Sequence, residues 1–320
     1  MTPARRPLDA YRTLSLRPLA LTIGAEVEGL DLRAPLSPAA IEEVRTALLE
    51  WKAVFFRGQH LDHAQHVAFA RQFGRPTIGH PVFGHDAQHP EIYSVAKERT
   101  ANAHRDTRLV TPWSGWHTDI TAAVNPPMAS ILRGVIIPPY GGDTCWTDLG
   151  ATFRGLSPAL QRFIEGLRGI HRFDSPPPTA KGGTDYELSI RNRRMTSEHP
   201  LVVVHPETSE RILYANPGFI KSIVGLTPME GHKVLELLWE QMIRPEYTVR
   251  FKWNAGDIAF WDNRSTAHLA PSDIFDTTWD RQLYRITLVG EPPRGVDGES
   301  SRALEGEPIL TVEQELALRA

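Results

Sequence analysis

Gly115-Trp116-His117-Thr118-Asp119-Ile120-Thr121 and, far downstream, Trp261-Asp262-Asn263-Arg264-Ser265-Thr266-Ala267-His268 are the two stretches that organise the chain. On an extended segment, residues two apart point to the same side, so His117 and Asp119 can grip one metal ion. If His268 returns to them, the set is two imidazoles and one carboxylate, which suits non-haem Fe(II) with open coordination positions. A His-x-Asp/Glu pair alone says little. The chain has five: His60/Asp62, His89/Glu91, His104/Asp106, His117/Asp119 and His205/Glu207. Asp62 reads more simply as a helix cap, and His89 and His205 each precede proline, as at loops or strand ends. His104/Asp106 lies in the charged stretch NAHRDTR with no strand to hold it. His117/Asp119 stands between Trp116 and Ile120 and leads into a strong strand, the setting a preorganised site needs. The plain alternative is a packing or surface histidine beside a turn aspartate.

Composition bounds the rest. With 320 residues, 41% hydrophobic and 23% charged, the chain can bury a substantial core and is not composed like a disordered protein. Its 38 acidic and 35 basic residues give a net charge of -3 without a block of one sign, which argues against nucleic acid and for small-molecule chemistry. The single cysteine, Cys145, excludes an internal disulfide framework and a cysteine zinc site, and fits a reducing compartment, with the cytoplasm as the expected location. No run approaches the roughly 18–20 apolar residues of a membrane span, and residues 1–18 lack the apolar core of a signal peptide. The expectation is a protein neither secreted nor membrane-bound.

Along the chain, residues 1–12 and about 296–320 read as peripheral. Residues 15–32 are short strands cut by Pro18, Gly24 and Gly29, and Ser37-Pro38 opens a helix carrying Ile41, Val44, Leu48 and Leu49. Lys52–Arg57 reads as a buried strand, and Asp62 starts a helix ended by Gly74. Residues 75–114 are irregular apart from Ile92–Val95, and an active-site lid is expected there. Strands follow at 128–137 and 144–149, a helix over 157–170, and a second polar excursion over 174–198. Strands at 201–205, 211–214, 247–253, 257–261 and 282–289 and a helix over 227–242 complete the pass. Many short strands with a few helices favour a mixed but mainly β fold, a jelly-roll (double-stranded β-helix) core in one domain over 1–320, rather than a doubly wound sheet. No glycine-rich phosphate fingerprint follows a strand, and no repeat is present.

The segments GWHTDIT, PPMASIL, YGGDTCWTDL, GDIAFWDNRSTAHLA and DRQLYRITLVGE, together with VFFRGQ, GHPV and LYANPGF, occur in one order over about residues 15–295. They resemble the taurine/alkylsulfate (TauD/TfdA) branch of the Fe(II)/2-oxoglutarate-dependent dioxygenases. The resemblance implies His117, Asp119 and His268 as iron ligands, with positions left for 2-oxoglutarate and O2. It implies Thr144 and Arg281 as the anchor of the distal carboxylate of 2-oxoglutarate, a role suited to a guanidinium with paired donors. Arg285, sharing a strand face with Arg281, matches the anchor for an anionic substrate head. A charged group on so apolar a strand calls for a buried partner.

His80 in GHPV matches a histidine for the same head, Ile120 would offer a backbone amide or an apolar wall, and Phe219 matches an aromatic lining residue. The taurine enzymes resemble each other in a Tyr after HPV and an Asn four residues before the first ligand, where this chain has Phe83 and Trp113. Both changes remove polar groups, which points away from taurine and towards an alkyl sulfate or sulfonate, cleaved oxidatively to aldehyde plus sulfate or sulfite. An aryloxyalkanoate or another carboxylate, such as an N-acyl amino acid or natural-product intermediate, is the alternative substrate. Both residues could instead simply pack beneath the lid. Outside this class stand a zinc hydrolase with the same ligands, which leaves Thr144 and Arg281 unexplained, and a non-catalytic cupin-like binder. The family resemblance also implies a homo-oligomer, dimer or tetramer.

Overall fold

The computed structural model describes residues 5–80, 83–97, 111–173 and 194–319. β1 (Ser15–Pro18) and β2 (Ala25–Glu28) pair antiparallel and lead to α1 (Pro38–Trp51). That helix begins where Ser37 accepts the Ala40 N–H and Pro38 needs no partner for its missing one. It stops at Lys52, whose φ is +63°, and the chain enters β3 (Ala53–Phe56). α2 (His63–Arg71) is opened by a reciprocal capping box between Asp62 and Gln65.

β4 (Tyr93–Ala96), β5 (Ala129–Ile136) and β6 (Thr144–Asp148) follow, then α3 (Leu149–Arg154) and α4 (Pro158–Glu165). β7 (Arg168–Arg172), β8 (Thr196–Pro200), β9 (Val202–Val204), β10 (Arg211–Leu213) and β11 (Ile220–Ile223) precede α5 (Pro228–Met242). The chain closes with β12 (Thr248–Phe251), β13 (Ile258–Asp262), β14 (Thr266–Leu269), β15 (Gln282–Leu288), β16 (Arg302–Glu305) and α6 (Val312–Arg319).

These strands make a mainly β fold: a seven-stranded sheet in the order β1-β2-β3-β13-β5-β15-β4, a four-stranded sheet β11-β7-β8-β16, a three-stranded sheet β12-β6-β14 and the pair β10-β9. Among the described residues every pairing but β2–β3 is antiparallel.

The central strands of the large sheet are apolar on both faces because both are covered. Val54, Phe56, Ile131, Ile258, Phe260, Ile286 and Leu288 face the layer holding α1 and α2. Their alternates Ala53, Phe55, Leu132, Ala259, Trp261 and Leu283 meet Trp146, Phe251 and Trp253 of the three-stranded sheet and its flank. The period-two geometry of a strand produces this division. Each fully buried large side chain contributes about 1.5–3 kcal/mol. On β15 the same alternation puts Arg285 on the side of Leu283, towards the space between the sheets.

The helix expected over 157–170 ends at Glu165, because Gly166 closes it and Gly169 and His171 are buried in the sheet as part of β7. β14 was not expected as a strand; four residues between a tight turn and a loop carry little periodic signal. Of the two expected excursions, residues 98–110, with His104/Asp106, and residues 174–193 lie outside the described residues, while 93–96 and 196–198 belong to β4 and β8. No helix among the described residues is long and apolar enough to cross a membrane.

Candidate metal centre

β14 carries His268, and its pairing with β6 sets His268 opposite Trp146. A single β-bridge then joins His268 to His117: each backbone N–H donates to the other's carbonyl, at 2.7 and 2.9 Å. Sequence separation is thus closed by main chain. Asp119 arrives differently from the alternation argument. Only His117 is extended; Asp119 opens a tight turn in which Ile120 takes φ +48° and its carbonyl accepts the Ala123 N–H. Such a φ is costly for a β-branched residue and persists because the surroundings impose it. Thr118 ties the turn down by donating to the Thr266 carbonyl at 2.8 Å.

The ligand atoms of His117, Asp119 and His268 all lie within 4.8 Å of one another, the only such group of three among the described residues. His117 Nδ1 donates to the Gly115 carbonyl at 2.9 Å, which puts the ring's lone pair on Nε2. Burial, reinforced by His117, lowers the His268 pKa to about 3 against the pull of Asp119, so its imidazole is neutral at pH 7. Burial works against the charge of Asp119, yet Arg285, His268, His117 and Ser130 outweigh it and hold the carboxyl well below its usual range. Arg285 meets Asp119 Oδ1 at 2.5 Å, and Ser130 Oγ donates to Oδ2 at 2.7 Å. Two lone-pair imidazoles and an ionised carboxylate fit Fe(II).

The three line a cavity of about 350 Å³ together with Thr144, Arg281, Arg285, His80, Phe83, Ile120 and Phe219. Arg281 Nε donates to the Gly142 carbonyl at 2.9 Å. A Cβ on Gly142 would sit 3.1 Å from that same nitrogen, and its φ is +65°, so glycine is required there twice over. Thr144 Oγ accepts the Trp253 indole N–H at 3.0 Å, leaving its own proton for another acceptor. His80 Nδ1 accepts the Phe83 amide at 3.1 Å, which puts its proton on Nε2, and its ring stacks on Phe83. The Arg285 Nε is buried without a hydrogen-bond partner.

Trp113 is the exception among the expected site residues. It is not among the residues that line the cavity. The 111–116 turn directs its indole onto Trp239 of α5, ring centres 5.7 Å apart, where two apolar clusters meet. The other three His-x-Asp/Glu pairs among the described residues are structural: Asp62 caps α2, Glu91 pairs with Arg71, and His205 bonds Asp262.

Sequence reasoning missed Tyr93, Val95, Leu132 and Phe173 on the cavity wall. The first two alternate on β4, a signal that is present in the sequence; Phe173 follows β7, whose first three residues fall within the helix expected over 157–170. Gly218 was also missed: a Cβ there would stand 2.6 Å from His117 Cβ. A larger cavity, about 660 Å³, opens between residues 203–209 and 289–298, but among the described residues no three-ligand group lies there, so volume does not locate the chemistry.

A family model described as "Taurine catabolism dioxygenase TauD, TfdA family" matches residues 15–287. An alkylsulfatase of Acinetobacter baylyi is 36% identical over 292 residues, 89% of this chain and 88% of its own. An alpha-ketoglutarate-dependent sulfate ester dioxygenase of Pseudomonas putida is 36% identical over 296 residues, 90% of this chain and 94% of its own. A crystal structure of a taurine dioxygenase from Burkholderia xenovorans superposes with TM-score 0.82 at 56% identity, covering 93% of this chain and 96% of that one.

Proposed function

Because the chain belongs to the taurine catabolism dioxygenase TauD, TfdA family, we propose that it oxidises a sulfate ester or sulfonate carrying an apolar alkyl or aryl tail. It is a 2-oxoglutarate-dependent dioxygenase, and its reaction uses Fe(II), 2-oxoglutarate and O2. Iron, when bound, supplies the O2-dependent oxidation coupled to conversion of 2-oxoglutarate into succinate and CO2. His117, Asp119 and His268 would hold it.

Arg281 and the Thr144 hydroxyl bind the distal carboxylate of 2-oxoglutarate, one by paired charged donors and the other by the proton that Trp253 leaves it. The Arg285 guanidinium and His80 Nε2–H take the anionic head, while Phe83, Phe173, Phe219 and Ile120 exclude water around the tail. A carbon hydroxylated beside the sulfate oxygen loses its hydroxyl proton as the C–O bond to sulfate breaks, giving aldehyde and sulfate.

The observation that carries the substrate class is charge. Among the described residues lining the cavity the only carboxylate is Asp119, already held by Arg285 and Ser130, so nothing there pairs with the ammonium of taurine. The test is succinate release by the purified protein with Fe(II), 2-oxoglutarate and O2 on hexyl sulfate, taurine and phenoxyacetate. Hexyl sulfate should give a kcat/KM at least about tenfold above taurine, the loss expected when one buried charge lacks a partner. A preference for taurine would refute the tail argument, and a preference for phenoxyacetate would change the head to a carboxylate.

The same reading takes the seven- and three-stranded sheets as the faces of a jelly-roll core in one dioxygenase domain over 1–320. The excursion at 75–114 would close it as a lid, supported by Phe83, Tyr93 and Val95 on the cavity wall. A cytoplasmic location is supported by the single cysteine, and a dimer or tetramer is carried over from the family resemblance.

A further inference from the structure

We propose that Trp261, Asn263 and Ser130 form a one-way hydrogen-bond relay that fixes the orientation of Asp119 for the metal, with Asn263 as its positioning residue. This rests on the metal-centre reading above. The four side chains are 1, 1, 0 and 2% exposed, so no solvent competes for their donors and acceptors.

Trp261 and Ser130 face each other across β13 and β5, and Asn263 follows β13 with its backbone N–H held by the Met128 carbonyl. The indole N–H of Trp261 can only donate, and it meets Asn263 Oδ1 at 2.8 Å. That contact decides which end of the amide is which. The Asn263 NH2 therefore faces Ser130 and donates to its Oγ at 2.8 Å. With that lone pair taken, the Ser130 proton is directed onto Asp119 Oδ2, at 2.7 Å. Every donor has one acceptor and the direction cannot reverse.

The consequence falls on the carboxylate. Oδ2 is occupied by a neutral donor, so the group cannot turn about its Cβ–Cγ bond without breaking a buried hydrogen bond. Oδ1, which also accepts from Arg285 at 2.5 Å, is the oxygen on the ligand side, 4.0 Å from His268 Nε2. A carboxylate held in this way offers one oxygen rather than two. Outer partners of this kind set the affinity of ligands they never share with the metal. Neither Asn263 nor Ser130 lines the 350 Å³ cavity, so substituting them leaves the walls of the ligand site in place.

Asn263→Asp is the informative change. It is isosteric and still accepts from Trp261, but it has no proton for Ser130, whose hydroxyl then has a second anionic acceptor to choose. Ser130→Ala removes only the final donor and serves if Asn263→Asp does not fold. The experiment is anaerobic Co(II) titration of the full chain, read by d–d absorption, with thermal unfolding of the metal-free proteins as the folding control and His117→Ala alongside. Folded Asn263→Asp and Ser130→Ala should each lose about 10- to 100-fold in Co(II) affinity and show an altered d–d spectrum as the carboxylate changes its denticity. Wild-type affinity and spectrum in both would overturn the relay. Failure of the wild type to bind Co(II), or wild-type binding by His117→Ala, would overturn the metal-centre reading instead.

Discussion

Arg281→Ala should collapse the discrimination between 2-oxoglutarate and 2-oxobutyrate, which lacks the distal carboxylate. Arg281 is 6% exposed and is braced by the Gly142 carbonyl, and Thr144 is 3% exposed, so the pair offers its donors in a largely dry setting. A hydrogen bond to a charged group contributes about 1.5–3 kcal/mol there, which converts to roughly 10- to 150-fold in affinity. The loss should fall on 2-oxoglutarate, because 2-oxobutyrate never used the contact. Thr144→Val should cost about 1 kcal/mol, since it removes one neutral donor, and it also strands the Trp253 N–H. The assay is the KM for each oxoacid in succinate- or CO2-release turnover, with the primary substrate saturating. Unchanged discrimination in Arg281→Ala would place the carboxylate elsewhere. A loss confined to the primary substrate would mean that Arg281 and Arg285 exchange roles.

Three further outcomes are expected. Trp113→Ala should lower stability by about 1–3 kcal/mol, through its packing on Trp239, and leave the ratio of hexyl sulfate to taurine turnover unchanged; a shift of that ratio towards taurine would bring Trp113 into the substrate site. Gly218→Ala places a Cβ 2.6 Å from His117 Cβ, an overpacking of about 1–3 kcal/mol whose relief displaces the ligand, so Co(II) affinity should fall with the melting temperature; unaltered metal binding refutes the contact. His66 is fully buried, and burial, assisted by Arg133, lowers its pKa to about 3. The unfolded chain therefore binds more protons than the folded one between pH 6.5 and 3; the stabilisation is complete above pH 6.5 and is lost as pH falls through that window. At about 1.4 kcal/mol per pH unit, roughly 2 kcal/mol disappears by pH 5, and His66→Leu should flatten the dependence of stability on pH by that much. An identical slope in the variant would show that His66 is not the group responsible.

The strands and caps were legible because their causes are local. Ser37, Asp62 and Thr227 each cap a helix with an oxygen one turn from the amide it accepts, and Ala53–Phe56 is apolar on every residue because both sheet faces are covered. The site was legible through motif resemblance: ten of the eleven residues named from sequence line one cavity. Its geometry was not. His117 and Asp119 were expected to share the face of a strand, yet Asp119 sits on a turn with a positive-φ isoleucine behind it, a conformation that no propensity of Ile would suggest. Trp113 was placed by its distance in sequence from His117, whereas one turn of backbone aims its indole at Trp239. The sequence by itself determined which chemical groups the protein has and which short segments are helix or strand, because composition, caps and alternation act over a few residues. Only the tertiary structure decided which oxygen of Asp119 faces His268 and where Trp113 lies. Those depend on partners 11 to 149 positions away, such as Ser130 for Asp119 and His268 for Asp119, brought together by sheet pairing rather than by neighbours in the chain.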